Sequence, residues 1–235
     1  MPKSRPDKRV DRKLRRMRNI AIAFVAAVAV IIAVAGLYYG TGISTPSEFA
    51  EGTHYQLVSE DRPDADAPIR VIEFFSYGCV HCKNFEPMVE RWERGLPDDV
   101  VLERVPVSFS PEWRTLAQTY YALEQHGALE RNHQRIFNAI HDQNRNLMRA
   151  DAVADFVDGR DIDRQTFLDT YNSADVRRAV VNAERMARDF GITGVPSMLV
   201  DDRFLVLSRN LTRPQVLAVV DHLVDKARDE RTSPD

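Results

Sequence analysis

Both cysteines of this 235-residue chain belong to one C-x-x-C motif, formed by Cys79 and Cys82. Residues 71–75, Val-Ile-Glu-Phe-Phe, are β-branched and aromatic, and they predict a buried strand that runs straight into the motif. Apolar residues at helical spacing follow Cys82 and predict a helix that continues to about residue 94. The motif is therefore expected on the first turn of a helix that follows a buried strand.

This position favours redox chemistry. A helix N-terminus presents unsatisfied N–H groups and a partial positive charge, and both stabilise a thiolate relative to a thiol. The three-residue step brings both sulfurs to one face of the helix, within bonding range. We expect Cys79 to be an exposed nucleophile and Cys82 a shielded resolving thiol. His81, between them, is expected to donate a hydrogen bond or positive charge to the Cys79 thiolate.

Two other uses of a C-x-x-C motif are less consistent with the sequence. Two cysteines are too few for a closed zinc site made of thiolates, and a three-residue step closes too small a loop to stabilise a fold as a structural disulfide. We therefore expect no metal and no cofactor other than the redox-active disulfide. The remaining histidines show no ligand spacing with the motif: His54, His126, His133, His141 and His222. Those of the helical region, His126, His133 and His141, are expected to be solvated.

Two further positions are candidate site residues. Glu73 interrupts the apolar strand six residues before Cys79. It either faces water or is buried with a raised pKa, and in the second case it could exchange protons with Cys82. Residues 194–197, Gly-Val-Pro-Ser, precede another short strand, and an X-Pro pair at such a position is by itself an ordinary turn.

The N-terminal 39 residues predict a membrane segment. Residues 1–19 contain nine Lys or Arg and two Asp, a net charge of +7, which leaves −10 for the rest of the chain. Residues 20–39, IAIAFVAAVAVIIAVAGLYY, are uncharged and long enough as a helix to cross about 30 Å of hydrocarbon. The positive-inside rule then keeps the basic tail in the cytoplasm and exports the remainder.

A cleaved signal peptide is the alternative to this single transmembrane anchor, because Ala33-Val34-Ala35 resembles a processing site. The long apolar run and long basic region favour the anchor. Either outcome places the rest of the chain outside the cytoplasm, where disulfides persist. The acidic balance of that part excludes a nucleic-acid-binding domain.

The order of elements predicts an α/β sandwich interrupted by helices. A short linker spans residues 40–52, and the α/β domain takes residues 53–110 and 186–228. Helical periodicity dominates the inserted block at residues 111–185, and residues 229–235 form a C-terminal tail. A strand is predicted over residues 100–109, where Pro106 favours an edge position. A hairpin is predicted around residues 201–203, and residues 213–228 form a closing helix.

The sequence FFSYGCVHCKNFEP, followed far downstream by GVPSMLV, resembles the DsbA family of thiol:disulfide oxidoreductases in the thioredoxin superfamily. The resemblance extends over roughly residues 51–226. It implies a thioredoxin-like fold with an inserted helical domain, a cis Val195–Pro196 peptide that faces the cysteines and binds substrate, and a buried acidic role for Glu73. Val80 departs from the family, which usually carries proline there.

The resemblance also implies a function. Such an enzyme donates its Cys79–Cys82 disulfide to newly exported, reduced proteins in the periplasm and is reoxidised by a DsbB-type membrane quinone oxidoreductase. A disulfide isomerase or reductase of the same superfamily remains an alternative, and so does a holdase that binds unfolded chains without redox turnover.

Overall fold

The computed structural model describes residues 49–232 and five isolated helical positions between residues 17 and 28. The chain divides into two units, Met1–Glu48 and Phe49–Asp235, and the elements below belong to the second. Its strands are β1 (Tyr55–Leu57), β2 (Ile69–Phe75), β3 (Val100–Pro106), β4 (Ser197–Val200) and β5 (Phe204–Val206). Its α-helices are α1 (Val80–Glu93), α2 (Pro111–Glu124), α3 (Leu129–His141), α4 (Ala150–Val157), α5 (Arg164–Tyr171), α6 (Ala174–Asp189) and α7 (Arg213–Thr232).

The five strands form one mixed sheet in the order β1-β5-β4-β2-β3. Only β2 and β3 are parallel, and they are joined through α1, whereas β4 runs antiparallel to both β2 and β5. The register places Glu73 of β2 beside Arg104 of β3 on one side and Met198 of β4 on the other. The central strand β2 thus carries Glu73 into the middle of the sheet.

Both faces of β2 are covered, which explains why its sequence is almost continuously apolar. Val71 packs in one cluster with Phe85 of α1 and residues of α7. Ile72 and Phe74 point to the opposite face and pack in another cluster with residues of α6. Because side chains alternate along a strand, Glu73 shares the side of Val71 that faces α1.

The helices α2 to α6 lie between β3 and β4 in the chain and share a core with the end of β2. Phe75, Cys82 and residues of these helices belong to one buried cluster. Polar caps mark the helix starts, since Ser110, Asp163 and Ser173 accept hydrogen bonds from backbone N–H groups of α2, α5 and α6. The fold is therefore a thioredoxin-like α/β sheet with a helical insertion, as predicted.

Several local predictions are confirmed and one is corrected. The hairpin of β4 and β5 turns at residues 201–203, and β3 is an edge strand. The strand predicted to reach residue 109 ends instead at Pro106, opposite Phe75, where its partner β2 also ends. Helix α6 runs across the boundary predicted between residues 185 and 186, and the domain boundaries themselves remain predictions.

The predicted transmembrane segment, residues 20–39, lies almost entirely outside the described residues. Within the described part of the chain, no helix combines the length and the apolar character needed to span a bilayer. Most of the basic tail at residues 1–19, most of the linker at residues 40–52 and the last three residues also lie outside it.

Candidate active site

The two cysteines open α1 at the C-terminal end of β2. Cys79 is the N-cap residue, and its Sγ accepts a hydrogen bond from the backbone N–H of Cys82 at 3.4 Å. Both cysteines are free thiols. Helices prefer a side-chain acceptor at this position because it satisfies an N–H group that has no intrahelical partner. Here the acceptor is a sulfur, so the cap stabilises the thiolate.

The pKa values of the two thiols are shifted in opposite directions. The hydrogen bond from the Cys82 side chain is the largest cause that lowers the pKa of Cys79, to about 6, and burial opposes it. The backbone N–H groups of Cys82 and His81 and the charge of His81 lower this pKa further. Burial first, and then the interaction with Cys79, raises the pKa of Cys82 far above that of a free thiol. At neutral pH the dithiol therefore holds one thiolate, on Cys79, and one proton, on Cys82.

The exposure of Cys79 differs from the sequence prediction. Only 8% of Cys79 is exposed, so it is buried rather than open to solvent, and Cys82 is fully buried as predicted. Sγ of Cys79 lies 3.5 Å from the backbone carbonyl oxygen of Val195, to which the thiol donates when it is protonated. The Val195–Pro196 peptide is cis. Residues that the sequence separates by more than a hundred positions thus meet at Sγ of Cys79.

A groove of about 990 Å³ adjoins this contact. His81, Phe85 and Met88 of α1 line one part of it, and residues 191–197, residues between 205 and 212 and the start of α7 line the rest. The His81 side chain is exposed. It therefore lies between the catalytic turn and an open surface large enough for an extended peptide.

Glu73 is fully buried, which favours the second of the two interpretations of its sequence position. Its Oε2 lies 3.6 Å from Nε of Arg104, and within the described part of the chain neither of its carboxyl oxygens has a hydrogen-bond partner. Burial raises the pKa of Glu73 well above its ordinary value, the charge of Glu86 raises it further, and Arg104 offsets only part of this. Glu73 therefore retains a proton where an ordinary glutamate would have lost it.

Glu86, which sequence analysis did not single out, completes this buried cluster. Its Oε1 accepts from Arg104 at 2.9 Å and lies 3.3 Å from Nε2 of His133. Burial alone would raise the pKa of Glu86, but His133 and Arg104 together hold it below its ordinary value. The pKa values of these two carboxyl groups are thus shifted in opposite directions, and of the two it is Glu86 that readily carries the negative charge.

His133 was expected at the surface, and this prediction is wrong. The side chain is buried, with its Nδ1 2.7 Å from the hydroxyl of Tyr77. Helical spacing could have indicated it, because His133 precedes Ile136 and Phe137 by three and four residues on the apolar face of α3. Glu86 follows Cys82 by four residues on the buried face of α1, so the same helical spacing could have indicated that it is buried.

Within the described residues, no group of three or more His, Cys, Asp or Glu side chains could hold a metal ion. A thioredoxin-like sheet that presents a C-x-x-C at a helix N-terminus, with one acidic and one protonated thiol, defines a thiol:disulfide oxidoreductase. The helices inserted between β3 and β4 restrict this class further, to thioredoxin-like oxidoreductases that carry a helical insertion.

Comparison with known proteins identifies the family. Residues 96–215 match the model of the DSBA-like thioredoxin domain. The chain is 31% identical over 214 residues to the thiol:disulfide interchange protein DsbA of Pseudomonas aeruginosa, covering 90% of this chain and 98% of that protein. It is 35% identical to the DsbA of Bordetella pertussis over 80% of this chain and 91% of that protein.

The fold agrees with this assignment. A crystal structure of Pseudomonas aeruginosa DsbA superposes with a TM-score of 0.74 and 30% identity, covering 80% of this chain and 99% of that structure. The chain belongs to the DsbA family, and it is a protein-disulfide oxidoreductase.

Proposed function

We propose that this oxidoreductase works as an oxidase, donating the Cys79–Cys82 disulfide to reduced proteins exported to the periplasm. The observation that carries the proposal is the lowered pKa of Cys79, about 6, beside the raised pKa of Cys82. A stabilised thiolate favours the dithiol form of the enzyme, which makes its disulfide a stronger oxidant. The chain's own Cys pair is the only redox group in the proposed cycle, without metal or organic cofactor.

The proposed reaction consists of two thiol–disulfide exchanges. A substrate thiolate attacks Sγ of Cys79, the Cys79–Cys82 bond breaks, and Cys82 leaves and takes up a proton. A second substrate thiolate then attacks the substrate sulfur of the mixed disulfide, and Cys79 leaves as a thiolate. The substrate gains one disulfide and gives up two electrons, which the enzyme holds as a thiolate on Cys79 and a thiol on Cys82.

Glu73 is proposed as the group that exchanges the proton with Cys82. It is buried on the α1 side of β2, its pKa is raised well above the ordinary value, and its charge, when it is ionised, raises the pKa of Cys82. A carboxyl group kept protonated by burial can deliver that proton to a developing thiolate without admitting water. His81 is proposed to tune the Cys79 thiolate.

Val195 and Pro196 are proposed to bind substrate. The carbonyl of Val195 already accepts from Cys79, so it stands beside the sulfur that would carry the mixed disulfide. The adjacent groove can receive the polypeptide on either side of the substrate cysteine. By the family resemblance, a DsbB-type quinone oxidoreductase in the membrane would accept the two electrons and restore the disulfide.

The anchor is a proposal that rests on residues 1–39. Ile22, Val25 and Val28, all within the apolar run, are helical and expose their side chains. A helix with exposed aliphatic side chains and a basic N-terminal flank suits insertion into the inner membrane.

A periplasm-specific reporter fused after Asp235 should be active, and the mature chain should stay in the membrane fraction with its basic tail. A soluble mature chain that begins near Gly36 would contradict the anchor but not export.

The redox direction is tested by the resting state of the wild-type protein in cells. Acid quenching followed by alkylation separates the disulfide from the dithiol by mass. An oxidase must rest mainly as the disulfide, because only that form can donate it, whereas an isomerase or reductase must rest mainly as the dithiol. A predominantly reduced protein would overturn the proposal.

A second arm separates redox turnover from simple binding. Cys82→Ser removes the thiol that cleaves the mixed disulfide backwards, so adducts between Cys79 and exported proteins should accumulate and disappear on reduction. Cys79→Ser is the matched control and should form none. A holdase would give no adducts with either variant.

A further inference from the structure

Tyr77, which lies two residues before Cys79, is held at both ends by one helix of the insertion. Its hydroxyl lies 2.7 Å from Nδ1 of His133. Its backbone carbonyl accepts a hydrogen bond from Nε2 of His141 at 2.8 Å. The tyrosine is 1% exposed, and its hydroxyl contact with His133 is buried, whereas the contact of its carbonyl with His141 is partly buried. Both histidines belong to α3.

The two histidines are part of a continuous stripe on α3. Phe137 lies four residues from each of them, and its ring is 5.3 Å from that of His133, 6.4 Å from that of His141 and 4.9 Å from that of Tyr77. Residues four apart lie on the same side of a helix, so this spacing presents all three rings to Tyr77. Polar contacts at both ends and an aromatic contact between them fix the position of Tyr77 relative to α3.

The backbone between Tyr77 and α1 is a tight turn. The Cys79 N–H donates to the carbonyl of Ser76 at 3.0 Å, and the Gly78 N–H donates to Oγ of Ser76 at 3.2 Å. A Cβ atom on Gly78 would stand only 2.5 Å from Nε1 of Trp113, so the turn fits closely against α2. The Tyr77 carbonyl is the point at which α3 holds the same turn.

We propose that His133 and His141 are positioning residues that hold the catalytic turn so that Sγ of Cys79 stays at the N-terminus of α1. This inference rests on the proposed redox role of Cys79. The hydrogen bond from Cys82 N–H to Sγ, at 3.4 Å, depends on the position of the turn that carries Cys79. The insertion thereby contributes to the acidity of a cysteine that none of its histidines touches.

A polar connection supports the same role. Burial raises the pKa of Tyr77, so its hydroxyl keeps its proton, and this hydroxyl lies 2.7 Å from Nδ1 of His133. Nε2 of the same ring lies 3.3 Å from Oε1 of Glu86, which accepts from Arg104. The ionisable groups around Tyr77 are contributed by α1, α2, α3 and β3: Glu86, Tyr120, Glu124, His133, His141 and Arg104.

The test measures the pKa of Cys79 in the full-length protein through the pH dependence of its alkylation, and the disulfide equilibrium in glutathione buffers. His141→Ala removes the donor to the Tyr77 carbonyl. We expect the alkylation midpoint to move to higher pH from about 6, and the disulfide to become a few-fold harder to reduce. His141→Gln should restore both values, because its amide N–H can reach the same carbonyl.

Matched variants distinguish a role in positioning the turn from a general contribution to the stability of the fold. His126→Ala is the control, since His126 lies in the same insertion but is exposed and contacts Thr170 instead of the turn. It should leave both values unchanged. Tyr77→Phe removes only the hydroxyl bonded to His133 and should shift the midpoint in the same direction as His141→Ala.

The outcomes are decisive. A loss of stability in His141→Ala with an unchanged Cys79 pKa would overturn the proposal and leave a purely structural role. If His141→Ala does not fold, Tyr77→Phe decides in its place, and an unchanged midpoint there overturns the proposal. A wild-type protein that fails to oxidise reduced peptides would refute the oxidase while the variants still report on positioning.

Discussion

Two thiols three residues apart differ in acidity because the first turn of α1 treats them differently. Cys79 lies at the N-cap and accepts hydrogen bonds from the Cys82 side chain and from backbone N–H groups, whereas Cys82 lies one turn inside, where burial and then the interaction with Cys79 raise its pKa. The asymmetry needs no metal and no distant charge. It follows from position along the helix and from burial.

His81 offers the first prediction at this scale. Its charge contributes to the low pKa of Cys79, although it ranks behind the backbone hydrogen bonds. We expect His81→Ala to move the alkylation midpoint of Cys79 upward by a fraction of a unit and to make the disulfide correspondingly harder to reduce. Val80→Ala, a change at the equally exposed neighbour, is the control. An unchanged midpoint in His81→Ala would show that the imidazole does not act on the thiolate.

Glu73 gives a prediction about stability. Because folding raises its pKa above the unfolded value of about 4.3, the folded state binds an extra proton, and stability is lost as pH rises through and above that value. Glu73→Gln should therefore match the wild type near pH 4 and exceed it at neutral pH, by about 1–4 kcal/mol. Urea unfolding at several pH values measures the difference.

Glu103→Gln is the control for this comparison, since Glu103 is half-exposed and pairs with Arg70 instead of the buried cluster. Its effect should vary little with pH by comparison. If Glu73→Gln is less stable than the wild type at neutral pH, Glu73 is ionised and bound to Arg104, and its proposed proton-exchange role fails.

At the scale of elements, the strand–motif–helix unit was predictable because its information is local. An apolar strand, a C-x-x-C and a helical repeat follow one another within about two dozen residues. The buried cluster was not predictable in the same way. Its members, among them Glu86, Arg104 and His133, come from α1, β3 and α3, and periodicity assigns each to a buried face without naming its partner. The proximity of Val195 to Cys79 was predictable from the sequence only through the family resemblance.

The connection from α6 to the Val195 loop gives an element-scale prediction. Helix α6 ends at Asp189, and Gly191 follows with φ +65°, a conformation that costs other residues about 1–2 kcal/mol. Gly191→Ala should lower the free energy of unfolding by that amount. Gly95→Ala is the control, because Gly95 follows α1 without a positive φ and an added Cβ would meet only the Trp92 carbonyl, at 3.4 Å. Equal effects of the two substitutions would contradict the backbone argument.

For the whole molecule, redox state and folding form one thermodynamic cycle. A difference in stability between the reduced and oxidised proteins equals the difference in redox free energy between the folded and unfolded disulfides. The constraint that the disulfide imposes on the unfolded chain is independent of pH. Any pH dependence of the difference therefore reports the two thiols, since the other ionisable groups largely cancel.

The signs follow from the pKa values. Between pH 6 and about 8.5 the folded dithiol has lost the Cys79 proton while the unfolded thiols keep theirs, so the reduced protein gains stability as pH rises, by at most about 1.4 kcal/mol per unit. Above about 8.5 the unfolded chain loses both protons whereas folded Cys82 keeps its own, and the gain reverses.

We therefore expect the stability of the reduced protein minus that of the oxidised protein to be lowest near pH 5 and to peak near pH 8.5. The rise should be about 2–3 kcal/mol, as a Cys79 pKa of about 6 and a free-thiol value of about 8.5 require. Chemical unfolding of both redox forms of one preparation measures it. In His81→Ala the rise should begin at higher pH and be smaller, because its Cys79 starts closer to a free thiol. A flat difference from pH 5 to 9 would mean that Cys79 is not a stabilised thiolate, and the argument for an oxidase would lose its physical basis.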